Sequence, residues 1–171
     1  MRKILIICCS LIAVICASCK TGEKISVSQE SSAAHLQAVK ALDEGNFVIE
    51  MDEFFIPLME SDKPYRSSTK SFLSLENGKV IIRIYPDVTS PNITWSNMET
   101  KGSGTIKFQK KSKRTGELKY ILNIADSNEN WKNMKGILIL YPDSNKCYLQ
   151  LFRNISGDKI VSINGRVCKY E

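Results

Sequence analysis

Apolar and polar positions alternate with different periods along the chain, and the changes of period mark its elements. Met1-Arg2-Lys3 is followed by an unbroken apolar-to-small run, Ile4 to Ala17. Two cations ahead of about a dozen apolar residues form the charged and hydrophobic regions of a signal peptide. The run falls short of the roughly 20 apolar residues that a bilayer span needs. Residues 19–27 offer little to bury and read as a flexible tether. From Ser28 the spacing becomes helical. Ala33, Leu36, Val39 and Leu42, with Ala41 beside them, make a narrow apolar stripe. Ser28 is the expected cap, Glu30 sits in the first turn where the helix dipole favours an acid, and Gly45 ends the helix.

From Phe47 the period drops to two. Phe47, Ile49 and Met51 alternate with Val48, Glu50 and Asp52, as in a half-buried strand. Asn77-Gly78 is the strongest short hairpin signal, and pairing across it sets Glu76 opposite Lys79, Leu75 opposite Val80 and Leu73 opposite Ile82. Leu73, Leu75, Val80, Ile82 and Ile84 then share one core face. Pro86 to Asn92 reads as a loop, Trp95 to Met98 as a short strand, and Gly102-Ser103-Gly104 as a flexible break. A second hairpin joins 105–111 to 117–125 across Lys113-Arg114-Thr115-Gly116. A polar loop with Trp131 comes next, and a third hairpin joins 136–141 to 147–152 across Pro142-Asp143-Ser144-Asn145. Asp158 to Ile163 closes the chain. Regular short strands with turns between them predict a mainly β chain, an antiparallel β-sandwich or barrel-like sheet with one N-terminal α-helix. Tyr85-Pro86-Asp87 and Tyr141-Pro142-Asp143 each follow an apolar strand; the alternatives are a faint internal duplication and, favoured because Pro stops a ladder and Asp favours a turn, one strand-ending solution used twice.

The residues that end the signal run decide the fate of the chain after export. Cys16-Ala17-Ser18 precede Cys19, which resembles the lipobox of bacterial lipoproteins; Cys16 stands where that pattern usually has Leu. On this reading residues 1–18 are a lipoprotein signal peptide, Cys19 becomes the acylated first residue, and 28–171 fold as one domain. The alternatives are a secreted protein cut before Cys19 or an uncleaved anchor helix. At about 0.8 kcal/mol per buried methylene, several acyl chains make a nearly permanent anchor. The formal charge of +6 loses the two cations Arg2 and Lys3. The remaining charge is mild, and with no reading motif present it excludes a nucleic-acid partner.

Of six cysteines, Cys8, Cys9 and Cys16 leave with the signal and Cys19 is the acylation site. Cys147 and Cys168 stay, in a compartment where disulfides form. If Ser156-Gly157-Asp158-Lys159 is a two-residue type II′ turn, Cys147 falls opposite Cys168, close enough to bridge. If Asn164-Gly165 bulges or turns instead, the register breaks and two thiols remain.

Candidate chemistry is sparse. His35 is the single histidine and sits on the helix, where packing is the ordinary role. Zinc needs three or four N or S ligands at set spacing. No G-x-S-x-G elbow, Gly-rich phosphate loop or calcium loop is present, so no metal and no cofactor is expected. Glu50, Asp52 and Glu53 come nearest to a glycosidase carboxylate pair, but Glu50 and Asp52 face away from the apolar side and read as solvated sheet surface. Lys107, Lys110, Lys111, Lys113 and Arg114 crowd one hairpin. They suit anionic lipid heads or polyanionic glycans, at about 1 kcal/mol per cation, or they keep a hairpin tip soluble. Trp95 and Trp131 fall in or beside loops, where an exposed aromatic suits sugar or peptide binding and a packed one covers the core edge.

The order of these features is itself a pattern. A lipobox is followed by a short helix ending in Ala41-Leu42-Asp43-Glu44-Gly45-Asn46-Phe47-Val48-Ile49. Then come a hairpin at Leu75 to Ile84, a loop leading to Gly102 and Gly104, Ile106-Lys107-Phe108, and paired strands reaching Ile163-Asn164-Gly165. In this order the chain resembles the small Bacteroidetes lipoproteins of domain of unknown function 4251, over most of its mature length. The resemblance implies a cell-envelope lipoprotein with a mainly β fold; it brings no activity and no functional residue, and the pair Cys147 and Cys168 departs from it.

The expectation is a non-enzymatic binding or scaffolding module, lipid-anchored at the outer membrane and partnered by an envelope glycan or protein. No acidic export tag follows Cys19, which favours the periplasmic face. A carboxylate-dependent hydrolase of envelope glycans or peptides, and a structural subunit of an envelope complex, are the alternatives. Growth with radioactive fatty acid is expected to label the wild-type protein and leave Cys19→Ala unlabelled; equal label on both rules out the anchor at this thiol.

Overall fold

Strands that are apolar on one face must bury it, and here they do so by curling until the last strand meets the first. The computed structural model describes residues 22–57, 64–87, 97–126, 133–153 and 156–170, with the side chains of the helix from Ser32 on. α1 (Gly22–Glu44) leads into β1 (Phe47–Phe55), β2 (Tyr65–Arg66), β3 (Phe72–Glu76) and β4 (Lys79–Ile84). β5 (Met98–Lys111), β6 (Leu118–Asp126), β7 (Met134–Leu140), β8 (Lys146–Arg153) and β9 (Lys159–Lys169) complete the order. Each strand from β3 to β9 pairs antiparallel with its neighbour, and β1 pairs with both β3 and β9. The result is a closed eight-strand barrel; two-residue β2 extends it beside Glu53 and Phe54, past the start of β3. Of the two sheet forms expected, the barrel is the one formed.

Period-two alternation places the core. Leu73, Leu75, Val80, Ile82 and Ile84 are all buried, and the Asn77-Gly78 hairpin has the expected register. Both turn residues have positive φ, as a type I′ turn requires. In β1 the alternation carries Phe47, Ile49 and Met51 inward, and strict continuation would turn Phe54 to solvent. Asp52 is instead an extra, bulged residue between Met51 and Glu53. The bulge resets the phase, so Phe54 and Ile56 are buried and Glu53 joins Glu50 outside.

Gly102-Ser103-Gly104 is not a break. It lies inside the continuous 14-residue β5. Gly104 stands against Val80 and the carbonyl of Asn123, with no room for a Cβ. Gly104 lets its neighbours approach closely at the barrel wall. Past Gly104, β5 outruns β4 and continues with β6 as a hairpin that overhangs one end of the barrel.

α1 closes that same end. Its C-terminus is a Schellman motif: Gly45 N–H donates to the Leu42 carbonyl and Asn46 N–H to that of Ala41, with Gly45 at φ 66°. The helix begins at Gly22, ahead of Ser28 and inside the stretch read as tether. No Pro interrupts the stretch, and lengthening a docked helix gains one hydrogen bond for each residue fixed. The buried row is Ala38, Ala41 and Leu42, whereas Leu36 is 65% exposed and Ala33 is exposed. The stripe is thus turned from its expected position, because the two alanines let the helix backbone come close to the barrel rim.

β9 also runs further than expected, through Asn164-Gly165 to Lys169. Its register excludes the cysteine bridge. The β8–β9 ladder closes between Arg153 and Asp158, not around a two-residue turn, and a shift beside Leu151 adjusts the pairing again. Cys147 therefore faces Gly165, while Cys168 faces Val48 of β1. Gly165 and Cys168 lie an odd number of residues apart, so the thiols sit on opposite sides of the wall: Cys147 inside, Cys168 outside. Both are free.

Gly165 faces Met51 at the β1 bulge, and a Cβ there would collide with the Glu50 backbone carbonyl. Gly165→Ala is expected to lower stability by about 2–4 kcal/mol, read as a fall in the urea midpoint. Gly157→Ala, strained by a φ of 72° but with open space around it, is expected to cost about 1 kcal/mol. Equal losses at the two positions would refute this account of closure.

Candidate functional site

The barrel lumen holds side chains, not space. Phe47, Phe54, Tyr120, Leu122, Leu138, Leu149 and Ile163 are among the residues buried inside, and eight strands leave an interior about wide enough for side chains to fill. The grooves found among the described residues lie on the outside.

One groove, of about 440 Å³, runs along the outer wall where β1 passes between β3 and β9. The Asp52 bulge opens it. Arg166, which faces Glu50 across the β1–β9 ladder, stands at its centre. Its Nη2 lies 3.1 Å from Asp52 Oδ1 and 3.8 Å from Glu50 Oε2. Ser67, Thr69 and Ser71 line it as well, with the apolar Val48, Met51 and Phe72. Glu50 and Asp52 do come together, as the spacing suggested, but around a shared cation in an exposed groove. Glu53 is carried by the bulge into a separate groove of about 200 Å³ with Phe54, Lys159 and Asn164. The Arg166 groove offers charged and hydroxyl groups for hydrogen bonds to a polar ligand.

The basic residues Lys107, Lys110, Lys111, Lys113 and Arg114 are all exposed on the overhanging hairpin. Lys110 lies directly opposite Lys119, a like-charge pair that local packing does not favour. Beneath them Phe108 packs edge-to-face on Tyr120 with centroids 5.5 Å apart, yet stays 54% exposed. Tyr120 Oη donates to Asp43 Oδ1 of α1 at 3.2 Å. Burial, then the Asp43 charge and that hydrogen bond, raise the Tyr120 hydroxyl far above its ordinary range.

His35 is structural. Its Nδ1 donates to the Ser144 carbonyl at 2.9 Å and pins α1 to the β7–β8 turn. Among the described residues no three His, Cys, Asp or Glu side chains cluster to hold a metal. Cys19, Trp95 and Trp131 lie outside the described residues. Sequence reasoning missed Arg166. Its only signal is its place on the outward phase of β9, visible once the strand is known to run past Gly165.

Burial first, then the charges of Asp52 and Cys168, push the Cys147 thiol up to about 12. Burial and then Glu50 raise Cys168 as well. Above the ordinary thiol value of 9.0 the unfolded chain releases a proton that the folded chain keeps. The native state then binds more protons, so stability falls as pH rises, by up to about 1.4 kcal/mol per pH unit for buried Cys147 and by less for Cys168, which solvent screens. The window opens near the ordinary thiol value and for Cys147 closes near about 12; Tyr120 acts in the same direction from its ordinary 10.0 upward. The urea midpoint is expected to drop on passing into alkali, and less steeply in Cys147→Val. A midpoint that is flat across this window would contradict the burial of the thiol.

Comparison with family models and with curated proteins returns no match. Among solved structures the chain is similar to a DUF4251 family protein from Bacteroides eggerthii, with a TM-score of 0.63 and 15% sequence identity over 83% of this chain and 91% of that one. At that identity the likeness is one of fold. The closed barrel with its N-terminal helix is therefore shared with a member of the family that the sequence pattern resembles, domain of unknown function 4251.

Proposed function

We propose that this is a lipid-anchored protein of the cell envelope whose barrel binds a polar ligand on its outer wall and performs no chemistry on it. The observation that carries the reading is the filled lumen: with Phe47, Phe54 and Tyr120 buried inside, recognition is left to the exterior. On that exterior the groove around Arg166 presents an ion-paired guanidinium, two carboxylates and the hydroxyls of Ser67 and Thr69, while Ser71 is buried and spent on the Tyr85 backbone. Carboxylates and hydroxyls of this kind suit the hydroxyl-rich surface of an envelope glycan. The small residues before Cys19 support the anchor, and the absence of an acidic tag after it supports the periplasmic face of the outer membrane.

One observation favours the structural-subunit reading as an alternative. Ile121, Ile137, Ile139 and Tyr148 occupy outward positions on β6, β7 and β8 and are only half-buried, which makes an apolar strip of the sort that protein partners cover.

Calorimetric titration with soluble peptidoglycan fragments tests the glycan reading. Binding is expected for the wild type, with affinity reduced about tenfold or more in Arg166→Gln and in Glu50→Gln with Asp52→Asn. Cleavage of the fragments by the wild type and not by Glu50→Gln would establish the hydrolase instead. Absence of binding, together with in-cell cross-links from Ile137 or Ile139 to one protein, would establish the structural subunit.

A further inference from the structure

The two ends of the barrel differ in chemistry. At one end lie α1, the overhanging β5–β6 hairpin and the β7–β8 turn; at the other, the starts of β3, β7 and β9. Leu36, Phe108 and Tyr141 are the exposed large hydrophobics among the described residues. All three are at the α1 end: on the helix, on the hairpin and at the β7–β8 turn. The same hairpin carries Lys107, Lys110, Lys111, Lys113 and Arg114, all exposed, with Lys119 opposite Lys110. Its one acid is Glu117, which is half-buried; of the other acids at this end Asp43 and Glu44 are engaged by Tyr120 and Lys40, Glu76 faces Lys79, and Asp143 is exposed in the β7–β8 turn.

The direction of α1 supplies the second observation. The helix reaches the β7–β8 turn through His35 and Ser144, and Gly45 lies against Ile106 of β5 and Leu75 of β3. It therefore lies across the barrel mouth, with Leu36 turned away from the barrel. Followed backwards it starts at Gly22, and Cys19 precedes it by only three positions. On the anchor reading, the acyl group is therefore joined to the start of this helix by a short stretch of chain.

We propose that the α1 end of the barrel is a membrane-docking face, with the β5–β6 hairpin tip seated on anionic phospholipid headgroups. The occupant follows from charge complementarity, from the exposed large apolar side chains of the described residues lying at the end that carries the cations, and from continuity with the anchor; the inference rests on the lipid-anchor reading above. Each cation near an anionic surface contributes about fivefold to partitioning, and the interaction is screened by salt. Phe108, on the α1-facing side of the same hairpin, adds an exposed aromatic to this end of the barrel.

The test uses the full-length protein from cells, reconstituted in vesicles of phosphatidylcholine with or without phosphatidylglycerol, and reads lysine acylation by mass spectrometry. Lys110, Lys111, Lys113 and Lys119 are expected to be protected several-fold only in the anionic vesicles at low salt. Lys70, Lys135 and Lys159, exposed or at strand starts of the opposite end, are expected to label alike in both. In a variant with Lys110, Lys111, Lys113 and Arg114 all changed to Gln, protection of Lys119 is expected to vanish while thermal unfolding stays unchanged. Equal labelling in the two vesicle types, or protection of the opposite end, overturns the proposal. A protein found without an acyl group refutes the anchor separately. The docking face is then judged by co-sedimentation, where the four-residue variant must lose anionic-vesicle binding on the order of a hundredfold or more, and unchanged binding rejects it.

Discussion

Everything in this molecule depends on β1 being hydrogen-bonded on both sides. Antiparallel strands laid side by side leave two open edges, each a row of unpaired amides and carbonyls. β1 removes both by pairing with β3 over its first half and with β9 along nearly its whole length. That double duty needs a strand able to bend, and the bend is made at two facing points. Asp52 is inserted as a bulge on β1, and Gly165 on β9 has no side chain, so the Glu50 carbonyl can approach it. The groove around Arg166 is a consequence: the distortion that closes the ring also turns Glu50 and Asp52 toward one guanidinium.

Closing the ring still leaves its mouths open, and α1 deals with one of them by contacts of modest strength in several directions. Ala38, Ala41 and Leu42 bury against the rim, and His35 holds the β7–β8 turn. Asp43 accepts from Tyr120. Just past the Schellman turn, Asn46 Oδ1 accepts the backbone N–H of Asn77 and ties the helix exit to the β3–β4 hairpin. These anchors lie on β6, the β7–β8 turn and the β3–β4 turn, well spread around the ring. A helix held at so many points cannot slide, and its outward face becomes a fixed part of the molecular surface.

Short-range rules govern the parts of the fold that were legible in the sequence. Asn77-Gly78 admits one turn type and so one register, and Lys113 to Gly116 and Pro142 to Asn145 mark their hairpins by the same local chemistry. Gly45 announces the end of α1 for an equally local reason. The errors arose where a distant strand decides. Gly102 and Gly104 look like a break until Val80 and Asn123 are known to press on the wall at Gly104. Ser156-Gly157 looks like a tight turn, and that one misplaced closure sets Cys147 and Cys168 face to face in the expected register. The bulge at Asp52 has no local signature either, yet it decides which way Phe54 and Glu53 point. Arg166 was hidden for the same cause: its partners Glu50 and Asp52 are far away in sequence, and only the β1–β9 ladder brings them near.

A filled eight-strand barrel also limits where function can arise. Hollowing the lumen for a ligand would mean truncating residues such as Phe47, Phe54 or Tyr120, at about 3–5 kcal/mol each, against a total stability of about 5–15 kcal/mol for a domain. Two such changes would consume most of the margin. Outward positions carry no such penalty, because period-two alternation separates them from the core. The wall has accordingly diversified by sector: ion-paired and hydroxyl-lined across β1 and β9, apolar across β6 to β8, cationic on the hairpin that overhangs α1. A fold of this kind supports several surfaces at once, so the sector that a ligand, a partner or a membrane meets depends on how the barrel is held. With α1 fixed across one mouth and Cys19 just ahead of it in the chain, a lipid there would set that orientation, leaving the outer wall and the opposite mouth accessible from the aqueous side.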